Sequence, residues 1–123
     1  MCAERMKIIY VVDDEPIISR TLAAILSQAG YQAFAFDMPQ QAIDEALTVP
    51  PDLLISDIVM PSMSGIELAS LFQSLYPRCR ILLFSGQANN ADLLRTRESS
   101  YEFEVLAKPI HPKVLLERLV ALS

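Results

Sequence analysis

Histidine and cysteine are scarce in this chain. It has one histidine, His111, and two cysteines, Cys2 and Cys79. A lone histidine near an expected helix start reads as a surface residue, since metal ligation needs company. The cysteines show neither metal-ligand nor redox spacing and read as reduced thiols without a role. No block of lysine or arginine occurs, the net charge is −5 and the isoelectric point is about 4.7. Direct nucleic-acid binding by this segment is therefore disfavoured. No apolar run approaches the roughly 18 residues that span a bilayer, so no membrane role is expected. The early run Ile8 to Val12 is cut off by Asp13 and Asp14. It is too short for a usual signal-peptide core, and a cytoplasmic location is the expectation. Neither repeat nor low-complexity stretch nor linker interrupts the sequence.

What is present is a core. The 123 residues are 52% hydrophobic, with a mean hydropathy of +0.31. One domain over 1–123 is expected, with little room for a second. The stretch Leu53 to Gly65 organises it. A short apolar run after Pro50-Pro51-Asp52 reads as a buried strand ending on Asp57. Pro61 and Gly65 then shape a turn, Gly65 by permitting backbone that other residues avoid, and a helix begins near Ser64. Asp57 is open to two readings here, a carboxylate placed for chemistry or a turn residue holding backbone amides.

The rest of the chain alternates in the same way. Residues 7–12 form a β-branched strand. Pro16 then suits a helix start behind two acids, and Ile18, Leu22, Ile25, Leu26 and Ala29 share one face up to a capping Gly30. Gln32 to Phe36 reads as the second strand. Asp37 reads as the cap of a helix carrying Ala42, Ile43, Ala46 and Leu47. After the strand at 53–57, Leu68, Leu71, Phe72 and Leu75 line the next helix. Arg80 to Ser85 is the fourth strand, 86–100 holds a short helix, and Phe103 to Ala107 is the fifth strand, before Lys108-Pro109. A last helix spans about Pro112 to Leu122. The pattern predicts an α/β fold, a doubly wound five-stranded parallel sheet of flavodoxin-like (βα)5 type.

In such a sheet the carboxyl ends of the strands share one rim, where ligands bind. Asp13 and Asp14, Asp57, Ser85 and Lys108 all fall there. Two like charges ~4 Å apart repel by about 4 kcal/mol at an effective dielectric of about 20. Three carboxylates therefore need positive charge, partly from Lys108. Oxygen ligands without histidine or cysteine favour a hard ion such as Mg²⁺. A carboxylate beside Mg²⁺, a lysine and a hydroxyl is equipped to attack a phosphoryl group.

These residues in this order resemble the receiver domains of two-component response regulators. The carriers are Asp13-Asp14, Asp57 within Asp-Ile-Val-Met-Pro-Ser-Met-Ser-Gly-Ile-Glu-Leu, Ser85, and Lys108-Pro109. The segment around Asp57 is highly specific, whereas the acidic pair or Lys-Pro alone would be weak. The resemblance implies a phosphoacceptor role for Asp57 and direct Mg²⁺ ligation by Asp14. It has Asp13 reach the metal mainly through water and makes the Val59 carbonyl a further ligand. Ser85 would contact the phosphoryl group, Lys108 would pair with it, and a cis bond is common before the proline equivalent to Pro109. The phosphoryl donor would be a phosphohistidine on a sensor histidine kinase or a histidine phosphotransfer protein. The chain would be a single-domain regulator or the receiver part of a longer one with an output domain.

Two departures stand out. Receivers usually carry a ring three positions before the lysine that swings inward on activation, and here that position is Val105, with Tyr101 and Phe103 read as out of register. The small-residue pair usual before the fifth strand is replaced by Glu98-Ser99-Ser100-Tyr101-Glu102. Val114, Leu116 and Val120 widen the apolar arc of the last helix beyond Leu115, Leu119 and Leu122, which points to docking or homodimerisation through the last two helices. Val59 and Gln87, two after Asp57 and two after Ser85, would influence access of the attacking water. A phosphate-independent interaction module is the alternative function. A haloacid-dehalogenase-like phosphatase would need an acid where Val59 stands, and a flavin site would not favour three rim acids.

Overall fold

The structure, a computed structural model, describes residues 7–86 and 103–122. Five strands, β1 (Ile8–Val12), β2 (Gln32–Phe36), β3 (Leu53–Asp57), β4 (Arg80–Ser85) and β5 (Glu104–Ala107), form one parallel sheet in the order β2-β1-β3-β4-β5. Among the described residues four helices cover it: α1 (Pro16–Gln28), α2 (Pro39–Ala46), α3 (Gly65–Leu75) and α4 (Pro112–Leu122). The helix expected within 86–100 lies outside the described residues beyond Gly86, as do Gln87, Tyr101 and the 98–102 segment.

The doubly wound arrangement follows from period-two alternation along strands that are apolar on both faces. Tyr10, Val12, Leu54 and Leu83 point to the face covered by α2 and α3, where Ala42, Ala46, Leu68, Ala69 and Phe72 close the core. Ile9, Val11, Ile55, Leu82 and Phe84 point to the other, against Leu22 and Leu26 of α1 and Leu115 and Leu119 of α4. Tyr10 is fully buried, and its hydroxyl donates to the carbonyl of Val49. An Arg118–Glu104 ion pair ties α4 to β5.

Several local expectations are corrected. Asp37 does not cap α2; Met38 is the N-cap, without a side-chain hydrogen bond. Leu47 and Leu75 project into solvent rather than onto the core. Leu116 packs inward, and only Val114 and Val120 of the widened arc on α4 are exposed. Phe103 and Val105, two apart, both pack against the cluster under α2 and α3, so Phe103 is in register with Val105. Gly30 does occupy the left-handed region, at φ +102°, just past the end of α1. Gly65 does not. A Cβ there would sit 2.0 Å from the backbone oxygen of Asp57, so glycine is required by close approach rather than by φ.

Candidate functional site

The strand order reverses beside β1: the chain runs out to β2, then returns to place β3 on the other side. The crevice at that switch point opens beyond the carboxyl ends of β1 and β3, where Asp13 and Asp57 lie. Asp13 extends β1 by one residue, held by its N–H to Phe36 O at 3.1 Å. Its Oδ1 accepts the N–H of Glu15 at 3.0 Å, which turns the chain toward α1. Asp14 beside it is exposed.

Asp57 ends β3. The turn after it is fixed by Ile58 N–H donating to Phe84 O at 2.9 Å and by Gly65 N–H donating to Ile58 O at 2.7 Å. Ser64 caps α3 by accepting the N–H of Glu67 at 3.1 Å. On the other side of β3, Lys108 is anchored by its own N–H to Ser85 O at 2.8 Å and precedes a cis peptide bond to Pro109. Ser85 is buried at the end of β4, one residue past the rung that pairs Asp57 with Phe84.

The side chains of Asp13, Asp14 and Asp57 converge, with one carboxylate oxygen from each lying within 4.8 Å of the others. Lys108 Nζ reaches Asp13 Oδ2 at 2.7 Å and Asp57 Oδ1 at 3.5 Å. Asp13 and Asp57 are 2% and 8% exposed. The Asp57 carboxyl is pushed up to about 6, chiefly by burial, with Lys108 opposing the rise and Asp13 and Asp14 adding to it. Burial also acts to lower the Lys108 ammonium, but its contacts with Asp13 and Asp57 outweigh this and raise it, so it stays charged. Val59, two residues after Asp57, is 66% exposed.

The donor set suits a hard divalent cation. It offers clustered carboxylate oxygens on an acidic patch that one lysine does not neutralise. The structure thus brings Asp13, Asp14, Asp57 and Lys108 together from distant parts of the chain, with Ser85 at the same rim. Sequence reasoning did not foresee that Lys108 would bond most closely to Asp13, because which of two acids an ammonium selects depends on backbone geometry that no spacing encodes.

The response regulator receiver domain family matches residues 9–120. The chain is 34% identical to the response regulator receiver protein CpdR of Brucella abortus, over 93% of this chain and 94% of that protein. It spans about half the length, 48% to 51%, of transcriptional regulatory proteins that it also matches. The chemotaxis protein CheY4 of Vibrio cholerae superposes with a TM-score of 0.87 at 26% identity, covering 97% of this chain and 100% of that one. The response regulator TrrA of Thermotoga maritima, in complex with Mg²⁺-BeF, superposes with a TM-score of 0.81 at 29% identity, covering 96% and 100%. The sheet order, the rim acids and the family match over nearly the whole length make this chain a member of the receiver domain family of two-component response regulators.

Proposed function

We propose that Asp57 is the phosphoacceptor of this receiver and that Asp13, Asp14, Ser85 and Lys108 serve it. The observation that carries this reading is the convergence of three carboxylates within 4.8 Å, with Lys108 bridging Asp13 and Asp57. One Asp57 oxygen attacks the phosphorus of a phosphohistidine. The new bond is O–P, the P–N bond breaks, and its electron pair leaves with the imidazole. At neutral pH a carboxyl near 6 is largely ionised and available as a nucleophile. Lys108 would pair with the transferred phosphoryl oxygens, and Ser85 would donate a hydrogen bond to them.

The carboxylates of Asp13, Asp14 and Asp57 and the carbonyl of Val59 would hold Mg²⁺. When bound, the ion offsets the clustered negative charge and attracts the phosphoryl oxygens. The donor partner is a sensor histidine kinase or a histidine phosphotransfer protein, and the site lies in a cytoplasmic receiver domain spanning 1–123. Phosphorylation adds roughly −1.5 to −2 of charge, and the response of Ser85 and Lys108 to it shifts a surface that partners read. Val114 and Val120, exposed on α4, support docking or homodimerisation there. A chain that stays monomeric in light scattering, phosphorylated or not, would remove the homodimer.

Intact-mass spectrometry after incubation with acetyl phosphate tests the chemistry. A base-labile phosphate adduct is expected on the wild type with Mg²⁺, but not in EDTA or on Asp57→Asn. An adduct that persists on Asp57→Asn would overturn the assignment of Asp57.

A further inference from the structure

Ser56 is a polar side chain inside the sheet, with no part in the chemistry above. It is 0% exposed and stands one residue before Asp57 on β3. Its rung neighbours are Val12 on β1 and Leu83 on β4, both in the apolar cluster under α2 and α3. Paired residues of a sheet share a face, so the hydroxyl is surrounded by hydrocarbon. An aliphatic residue would fill the position without desolvating a hydroxyl. The Ser56 hydroxyl donates to the backbone carbonyl of Asp57, Oγ to O at 2.9 Å.

That carbonyl belongs to a peptide held on several sides. Its N–H, from Ile58, donates to Phe84 O at 2.9 Å. Its oxygen also faces Gly65, where a Cβ would lie only 2.0 Å away. The Asp57 carboxylate branches from the chain just before this peptide, and Val59 follows just after it. Rotation of the peptide therefore changes the angle between the carboxylate and the Val59 carbonyl. A hydrogen bond that fixes the peptide fixes their common aim.

We infer that Ser56 is a positioning residue, whose buried hydroxyl locks the Asp57–Ile58 peptide and so orients the Asp57 carboxylate toward the cation and the incoming phosphoryl group. The inference rests on Asp57 being the phosphoacceptor. It assigns a role in the site to a residue that touches neither phosphate nor metal.

Ser56→Thr and Ser56→Val test it. The two side chains have nearly the same shape, and only threonine keeps the hydroxyl. The readouts are the phosphorylation rate from acetyl phosphate at saturating Mg²⁺ and the Mg²⁺ dissociation constant from calorimetry without any phosphodonor. The valine variant should be slower than the threonine variant by about three- to tenfold, the factor expected for one intramolecular hydrogen bond. Its Mg²⁺ binding should be weaker by a similar factor, and its urea midpoint no lower. Equal rates and equal Mg²⁺ affinities would overturn the inference. Should the extra methyl unfold both variants, Ser56→Ala against wild type carries the same comparison, and wild-type rate and affinity in the alanine variant would overturn it. If the wild type takes up no phosphoryl group from acetyl phosphate or from a phosphohistidine protein, the phosphoacceptor reading fails, and Ser56 is then decided by Mg²⁺ affinity alone. If the wild type does not bind Mg²⁺ either, both fall together.

Discussion

Lys108 Nζ lies 2.7 Å from Asp13 Oδ2 but 3.5 Å from Asp57 Oδ1. The ammonium is thus bonded chiefly to the neighbouring acid and only leans on the proposed nucleophile. This leaves the Asp57 carboxylate partly uncompensated, in keeping with a carboxyl pushed up to about 6 by burial despite a cation nearby. The same ammonium opposes entry of a second cation into the acidic cluster.

Lys108→Ala should therefore separate binding from chemistry. With the competing charge gone, Mg²⁺ should bind about tenfold more tightly, a conservative fraction of the roughly 4 kcal/mol between unit charges ~4 Å apart near a protein surface. The metal-free variant should lose about 1–3 kcal/mol of stability, because two shielded carboxylates lose their partner. Phosphorylation should become undetectable or slow by at least about tenfold, through loss of a charged partner for the phosphoryl oxygens. Calorimetry and acetyl phosphate kinetics measure the two effects independently. Weaker Mg²⁺ binding would contradict the account.

Asp57 predicts a pH dependence of known sign. Burial pushes its carboxyl up to about 6, from 3.8 for the ordinary group. A raised folded value means that the native state holds the proton more firmly than the unfolded state. The associated stability is complete below pH 3.8 and is lost as pH rises through 6. At about 1.4 kcal/mol per unit, the full effect is about 3 kcal/mol. Asp57→Asn carries no charge and avoids this cost. In EDTA at pH 8 the variant should be more stable than the wild type by about 2–3 kcal/mol, and the gap should close toward pH 4. Adding Mg²⁺ at pH 8 should narrow the gap by stabilising the wild type more than the variant, which keeps only Asp13 and Asp14 of the three carboxylates. Urea titrations at the two pH values measure it, and a gap independent of pH would refute the electrostatic origin.

Gly65 and Gly30 make a matched pair with opposite causes. At Gly65 an added methyl would strike the backbone oxygen of Asp57, and neither strand end nor helix start can yield cheaply. Gly65→Ala should cost about 1–3 kcal/mol or more through overpacking and should slow phosphorylation by displacing Asp57. At Gly30 nothing lies within 4 Å, and the cost comes only from φ +102°. Gly30→Ala should cost about 1 kcal/mol and leave phosphorylation within twofold of wild type. Equal effects of the two substitutions on phosphorylation would show that the contact with Asp57 does not matter.

The sheet was legible in the sequence because its inner strands are buried on both faces. The runs 8–12, 53–55 and 81–84 are wholly apolar and end at Asp13, Ser56-Asp57 and Ser85. The positions of Asp13, Asp14, Asp57, Ser85 and Lys108 followed from the topology, since parallel strands deliver all their carboxyl ends to one rim. Details decided by neighbours in space were not legible. Asp37 had the chemistry of a cap, yet the chain enters α2 one residue later, at Met38. Leu47 fitted a helical face, but α2 ends at Ala46 and Leu47 points outward. Ser56 lay unnoticed inside an apolar run, although a lone hydroxyl there was itself a signal.

Val105 bears on how phosphorylation is transmitted. Its rung partner is the fully buried Leu83, and it packs with Phe103 against the cluster under α2 and α3. A side chain this short cannot exchange an exposed position for a buried one as a ring can. The response to phosphate should therefore not depend on a ring at 105. Val105→Tyr should leave the phosphorylation rate within about twofold of wild type, because the substitution lies two residues before the end of β5 and not at the rim. The amide shifts induced by Mg²⁺ with beryllofluoride, a phosphoryl mimic, should reach the same residues in wild type and variant. A footprint that extended newly along β5 and α4 only when tyrosine is present would mean that the valine had silenced a switch the fold still contains, and the idea would have to be abandoned.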